Sequence, residues 1–121
     1  MNRRTRQSMA PSTLRRRLLS ELRKTVVAMM SAEWDIALEG KPAVEVTRAA
    51  RTLLALQRAR LRLGTAELAA IRDQLRENER ELVKAIVALG RARKKLYNVR
   101  TVLVAAASLL RTVGRIIDIV V

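Results

Sequence analysis

Residues 75–110 read LRENERELVKAIVALGRARKKLYNVRTVLVAAASLL, and a leucine recurs in them at every seventh position. The repeat extends in both directions, so that ten successive heptad positions carry Leu or Ile: Leu54, Leu61, Leu68, Leu75, Leu82, Leu89, Leu96, Leu103, Leu110 and Ile117. A sustained apolar heptad is typical of a helix that packs along one stripe against partner helices. The repeat therefore predicts an all-α fold.

The composition agrees with this fold class. Trp34 and Tyr97 are the only aromatic residues of the 121, and the chain contains four glycines and two prolines. Strands favour aromatic and β-branched residues, whereas Leu, Ala and Met favour helices. We expect a basic arm over residues 1–11, followed by a single helical domain over residues 12–121.

Three helices are predicted within this domain. The first covers about residues 13–34 and the second about residues 42–63, with Gly40 ending one segment and Pro42 starting the next. A third helix, over residues 66–121, follows the heptad without interruption. Asn78 occupies the second apolar position of one heptad, where it would fix the register of a coiled coil.

The third helix is too long to be covered by the other two. Its 56 residues would span roughly 84 Å, whereas each of the other helices is near 33 Å. The part beyond Leu89 would therefore need an external partner, either other copies of the chain or another helical protein. This predicts a helical hairpin with a long heptad helix in an oligomeric, coiled-coil-like assembly. The residues predicted to form the interface are Leu89, Leu96, Val99, Leu103, Ala106, Leu110, Val113 and Ile117.

A second architecture is also compatible with the pattern. If the chain breaks at Gly90, four helices of similar length can close into a monomeric four-helix bundle. Against this, the sequence GRARKKL after residue 89 offers no good loop or cap, and the heptad phase passes through Gly90 unchanged. A glycine inside a helix costs only about 1 kcal/mol, so it does not require a break.

The absence of His and Cys limits the possible chemistry. It removes the usual ligands of zinc, haem and iron–sulfur clusters, together with the commonest general base and thiol nucleophile. Glu77 and Glu81 form an acidic pair, but no other catalytic group accompanies them. We therefore expect no enzyme, no metal, no cofactor and no small-molecule substrate.

The formal net charge of +14 comes mostly from arginine and is concentrated in blocks. Such blocks attract nucleic acid, anionic lipid or acidic protein. Residues 91–100 hold five basic side chains and no acidic one. The residues predicted to bind a polyanion are Arg3, Arg4, Arg6, Arg15, Arg16, Arg17, Arg91, Arg93, Lys94 and Lys95.

These features together predict a non-enzymatic, self-associating structural or adaptor subunit whose arginines contact a polyanion, with nucleic acid favoured. A virion or DNA-packaging component would fit by analogy. The alternative is a membrane-surface protein that inserts its C-terminal amphipathic helix, where Thr101, Ser108, Arg111, Arg115 and Asp118 form a polar stripe. Lack of cysteine and of an apolar secretion signal favours a cytoplasmic or intravirion location.

Overall fold

The computed structural model describes residues 8–119, and this part of the chain contains six α-helices and no strand. The all-α prediction is therefore confirmed. The helices are α1 (Pro11–Ala28), α2 (Ala32–Leu38), α3 (Ala43–Thr65), α4 (Leu68–Glu77), α5 (Glu79–Arg93) and α6 (Val99–Val113).

Helices α1, α3, α5 and α6 enclose one hydrophobic core. Helix α1 packs against α3 and α5, and α6 packs against the same two helices from the other side, while α4 lies on α1. Buried residues from all six helices belong to one cluster, with Leu18, Leu56, Leu82 and Leu109 among its fully buried members. The chain therefore forms a closed helical bundle by itself, which is the second of the two predicted architectures.

The predicted continuous helix over residues 66–121 is wrong. Helix α5 ends at Arg93, and a turn over residues 94–98 reverses the chain so that α6 packs back along α5. Leu96 is buried and anchors this turn, and the Asn98 side chain accepts a hydrogen bond from the Thr101 amide (3.4 Å) at the start of α6. Reversal buries the apolar face of α6 inside the same chain.

The helix does not end at Gly90, which is the position that the second architecture predicts. Gly90 lies within α5, four residues before the turn. Glycine weakens a helix by only about 1 kcal/mol, which the packing of the flanking Leu89 and Ala92 offsets. The chain turns where the residues are Lys, Tyr and Asn, with Asn98 able to cap the next helix.

A second interruption occurs at Asn78, between α4 and α5. Its backbone leaves the helical conformation (φ −104°, ψ 8°), and its side-chain amide donates to the Gln74 carbonyl (2.8 Å). Asparagine competes for backbone hydrogen bonds in this way and so favours helix boundaries. The residue that was expected to fix the register of a coiled coil therefore marks a helix end.

The ten heptad residues differ in their burial. Leu75, Leu82, Leu89, Leu96 and Leu103 are buried in the bundle, whereas Leu54 and Leu61 are 43% and 67% exposed on the outer face of α3. Of the predicted interface residues, Leu89, Leu96, Val99, Leu103, Ala106 and Val113 are buried in the chain's own core, and Leu110 and Ile117 pack partly against it. Six of the eight predicted interface residues are therefore covered by the chain's own helices, and a role of these residues between chains stays a prediction.

The first two predicted helices need smaller corrections. The first ends at Ala28 rather than near residue 34, because Ser31 starts the short helix α2 by accepting a hydrogen bond from the Trp34 amide (3.2 Å). The Trp34 side chain is buried and fixes α2 on the bundle. Gly40 adopts a positive φ of 78°, and Pro42 precedes α3, as the sequence predicts.

Candidate polyanion-binding groove

The residues predicted to bind a polyanion have different environments. Arg3, Arg4 and Arg6 lie outside the described residues. Arg15 is partly buried and donates from Nη1 to the carbonyl oxygen of Ala66 (2.6 Å), just after the end of α3. Because a carbonyl at a helix end lacks a partner within the helix, this arginine stabilises the fold.

Arg93 is also held by the fold. Its guanidinium donates from Nη2 to both carboxylate oxygens of Glu21 (3.0 Å each) and from Nε to Oε2 (3.2 Å). Glu21 lies on α1, is only 6% exposed, and also accepts a hydrogen bond from the Thr25 hydroxyl. The fork geometry of arginine suits such a carboxylate, so Arg93 ties α5 to α1.

A groove runs over this ion pair between α1 and α5. Four exposed basic side chains line it, Arg17 and Lys24 from α1 and Arg91 and Lys94 from the end of α5. The remaining lining residues are Ser20, Glu21, Ile86, Val87, Gly90 and Arg93. We call this surface the α1/α5 groove.

The charge of the α1/α5 groove is strongly positive. Among residues 8–119, its only acidic lining residue is Glu21, whose carboxylate is neutralised by Arg93. The four exposed cations therefore act without a nearby negative group in the groove. Such a surface attracts anions.

Only some of the predicted basic residues line the α1/α5 groove, and one further basic residue lines it as well. Arg17, Arg91 and Lys94 come together, although Arg17 is far from the others in sequence, whereas Arg16 and Lys95 are exposed outside the groove. Lys24 was missed. Its spacing of seven residues from Arg17 places both on one face of α1, but the sequence does not show that α5 lies beside that face.

The C-terminal helix gives its apolar face to the bundle. Val102, Leu103, Ala106 and Leu109 are buried, while Thr101 and Arg111 of the predicted polar stripe are exposed. Among the described helices, none combines the length and apolar character needed to cross a bilayer. Contact of α6 with lipid through its apolar face would require the helix to leave the core.

The acidic residues of α4 and α5 do not gather into a site. Glu81 forms an exposed ion pair with Arg115, and Glu79 accepts a hydrogen bond from the Met9 amide (2.9 Å). Within residues 8–119, no three acidic side chains are grouped as ligands for a metal ion. Glu77 and Glu81 are thus surface residues beside basic neighbours.

Comparisons with protein family models, with curated proteins and with solved structures found no match to this chain.

Proposed function

We propose that this protein is a non-enzymatic helical adaptor that binds the phosphate backbone of nucleic acid through the α1/α5 groove. The observation that carries the proposal is the convergence of Arg17, Lys24, Arg91 and Lys94 around an acidic residue already neutralised by Arg93. Positively charged side chains facing phosphates release condensed counterions, which favours binding regardless of base sequence.

A polymeric anion suits this groove better than a small one. The four cations come from two neighbouring helices, and Arg17 and Lys24 are two helical turns apart, or about 10 Å. This separation exceeds the size of one phosphate group, and successive phosphates of a nucleic acid strand can contact successive side chains. Phosphate contacts of this kind position a protein without reading bases.

No observation favours the membrane alternative. The helix that was expected to insert, α6, contributes seven buried residues to the core, and its removal would expose them. Membership of a larger assembly, such as a virion or a DNA-packaging complex, stays a prediction from the sequence. The polyanion proposal can be tested without knowing that assembly.

The test is a salt titration of binding to duplex DNA. Replacing Arg17, Lys24, Arg91 and Lys94 with glutamine should weaken binding and reduce the slope of log affinity against log salt by about 3 to 4, because each phosphate contact contributes about 0.9. Fluorescence anisotropy with two unrelated duplex sequences measures both the slope and its independence from sequence.

The matched control removes the same charge elsewhere. Arg51, Arg60, Arg62 and Arg72 are exposed and lie outside the α1/α5 groove. Their replacement by glutamine should change the slope much less than the groove variant does. Equal slopes for the two variants would show that net charge alone drives binding and would contradict a specific role for the groove.

A further inference from the structure

A second groove lies on the opposite side of the bundle, between α3 and α6. Its first part is lined by Val44 and Arg48 of α3 and by Arg100, Val104 and Ala107 of α6, and its second part continues from Ala107 past Leu110 and Arg111. Val44 and Val104 are 70% and 63% exposed, so the groove presents apolar side chains to solvent. We call this surface the α3/α6 groove.

Basic residues dominate the rim of the α3/α6 groove. Arg48, Arg100 and Arg111 are exposed there, and Glu45 is the only acidic residue in the described part of the chain that lines the groove. An occupant should therefore combine an apolar centre with flanking acidic groups. This is the pattern of an amphipathic helix that binds in a groove.

Helix α2 of the same chain has this chemistry. Ile36 is 65% exposed at the centre of its outer face, and Glu33, Asp35 and Glu39 are exposed around it. Burial of Trp34 on the opposite side fixes the orientation of this face. We call these four outer residues the α2 patch.

The dimensions also agree. Helix α2 has seven residues and is about 10 Å long, and the α6 wall of the first part of the groove, from Arg100 to Ala107, has a similar length. Only a short connection separates the end of α2 at Leu38 from Pro42, which lines the groove. The two complementary surfaces are therefore adjacent at one end of the bundle.

From this complementarity we infer that a second copy of the chain occupies the α3/α6 groove with its α2 patch. A twofold dimer forms this contact twice, because the α2 patch of each copy lies in the α3/α6 groove of the other. The contact also gives two strongly basic molecules a local attraction that opposes their general repulsion. It uses none of the four basic residues of the α1/α5 groove.

Two charge-reversed variants test the pairing. One changes Glu33, Asp35 and Glu39 to lysine, and the other changes Arg48, Arg100 and Arg111 to glutamate. Either variant alone places like charges in both contacts of the dimer, which should raise the dissociation constant by about 100-fold or more. Sedimentation of the full chain without nucleic acid measures this, and circular dichroism confirms that each variant is folded.

Mixing the two variants restores opposite charges. In a mixed pair, the lysine patch of one variant meets the glutamate groove of the other, and the remaining patch and groove are unchanged. An equimolar mixture should therefore form a one-to-one dimer although each component is monomeric. A control in which the exposed residues Glu67, Asp73 and Glu77 become lysine has the same net charge as the patch variant and should remain dimeric.

Several outcomes would overturn the inference. These are a parent chain that stays monomeric at its highest soluble concentration, a dimer that resists both reversals, variants that do not associate when mixed, or a control that dissociates as readily as the patch variant. Because nucleic acid is absent from the experiment, its failure would leave the proposed function of the α1/α5 groove intact.

Discussion

Arg91 and Arg93 show how two arginines of one basic run acquire different roles. They are separated by one residue and both line the α1/α5 groove, but they differ in exposure and in hydrogen-bond partner. Arg91 is exposed at the α1/α5 groove, whereas Arg93 binds the buried carboxylate of Glu21 on α1. A run of like charges is therefore not one functional unit, and the neighbouring helix determines which member is available to a ligand.

At this scale we expect Arg93→Gln to lower the free energy of unfolding by about 1–3 kcal/mol, because it leaves Glu21 charged and poorly paired inside the bundle. Glu21→Gln should cost less, since Arg93 can still reach solvent. Urea denaturation of both single variants and the double variant gives the coupling free energy. Arg91→Gln is the control and should change stability by less than about 0.5 kcal/mol; a coupling of zero between Glu21 and Arg93 would contradict the ion pair.

At the scale of the element, helix α5 continues through Gly90 and ends at Arg93. A Cβ atom on Gly90 would lie 3.7 Å from both Glu21 Oε1 and Arg93 Nη2, which is ordinary van der Waals contact. Gly40 differs because its φ of 78° is rarely adopted by L side chains. One glycine therefore occupies a helix interior, and the other makes a turn possible.

The pair Gly90→Ala and Gly40→Ala tests this distinction. Alanine at position 90 should raise the free energy of unfolding by about 0.5–1 kcal/mol, because it favours the helix without steric conflict. Alanine at position 40 should lower it by about 1 kcal/mol or more, because the left-handed conformation is unfavourable for it. Thermal and urea unfolding report both changes. Destabilisation by Gly90→Ala would indicate that the chain breaks at residue 90.

At the scale of the whole molecule, the heptad repeat is mainly the record of an internal core. The leucines from Leu75 to Leu103 are buried in the chain's own core, while the same spacing on α3 leaves Leu54 and Leu61 on the surface. The repeat therefore lies on the solvent-facing side of α3 and on the core-facing side of α4 and α5. Its regularity does not identify a single continuous packing surface.

Two substitutions at equivalent heptad positions should therefore differ. Leu89→Ala should cost about 2–5 kcal/mol, because Leu89 is fully buried and the bundle cannot fill the cavity completely. Leu61→Ala should stay within about 0.5 kcal/mol, because that side chain is largely exposed. Chemical denaturation measures both values. Similar costs at the two positions would contradict the closed bundle and would favour an assembly that buries the repeat uniformly.

Local chemistry alone determined several features of this protein. Few aromatic residues and abundant Leu, Ala and Arg determined the all-α class, and Gly40 with Pro42 determined the boundary before α3 because their backbone preferences act within a few residues. The excess of arginine likewise predicted a strongly basic surface. These features depend only on neighbours along the chain.

Tertiary structure decided which surfaces those local features meet. Periodicity defines the apolar face of a helix, but the same leucine stripe can be buried by its own chain or by another chain. The sequence therefore could not show that Leu103 is buried within its own bundle. Similarly, Glu21 and Arg93 are 72 residues apart, and only the packing of α1 beside α5 makes them partners. The same packing brings Arg17 and Lys24 to Arg91 and Lys94, because burial of apolar faces fixes which helices are neighbours.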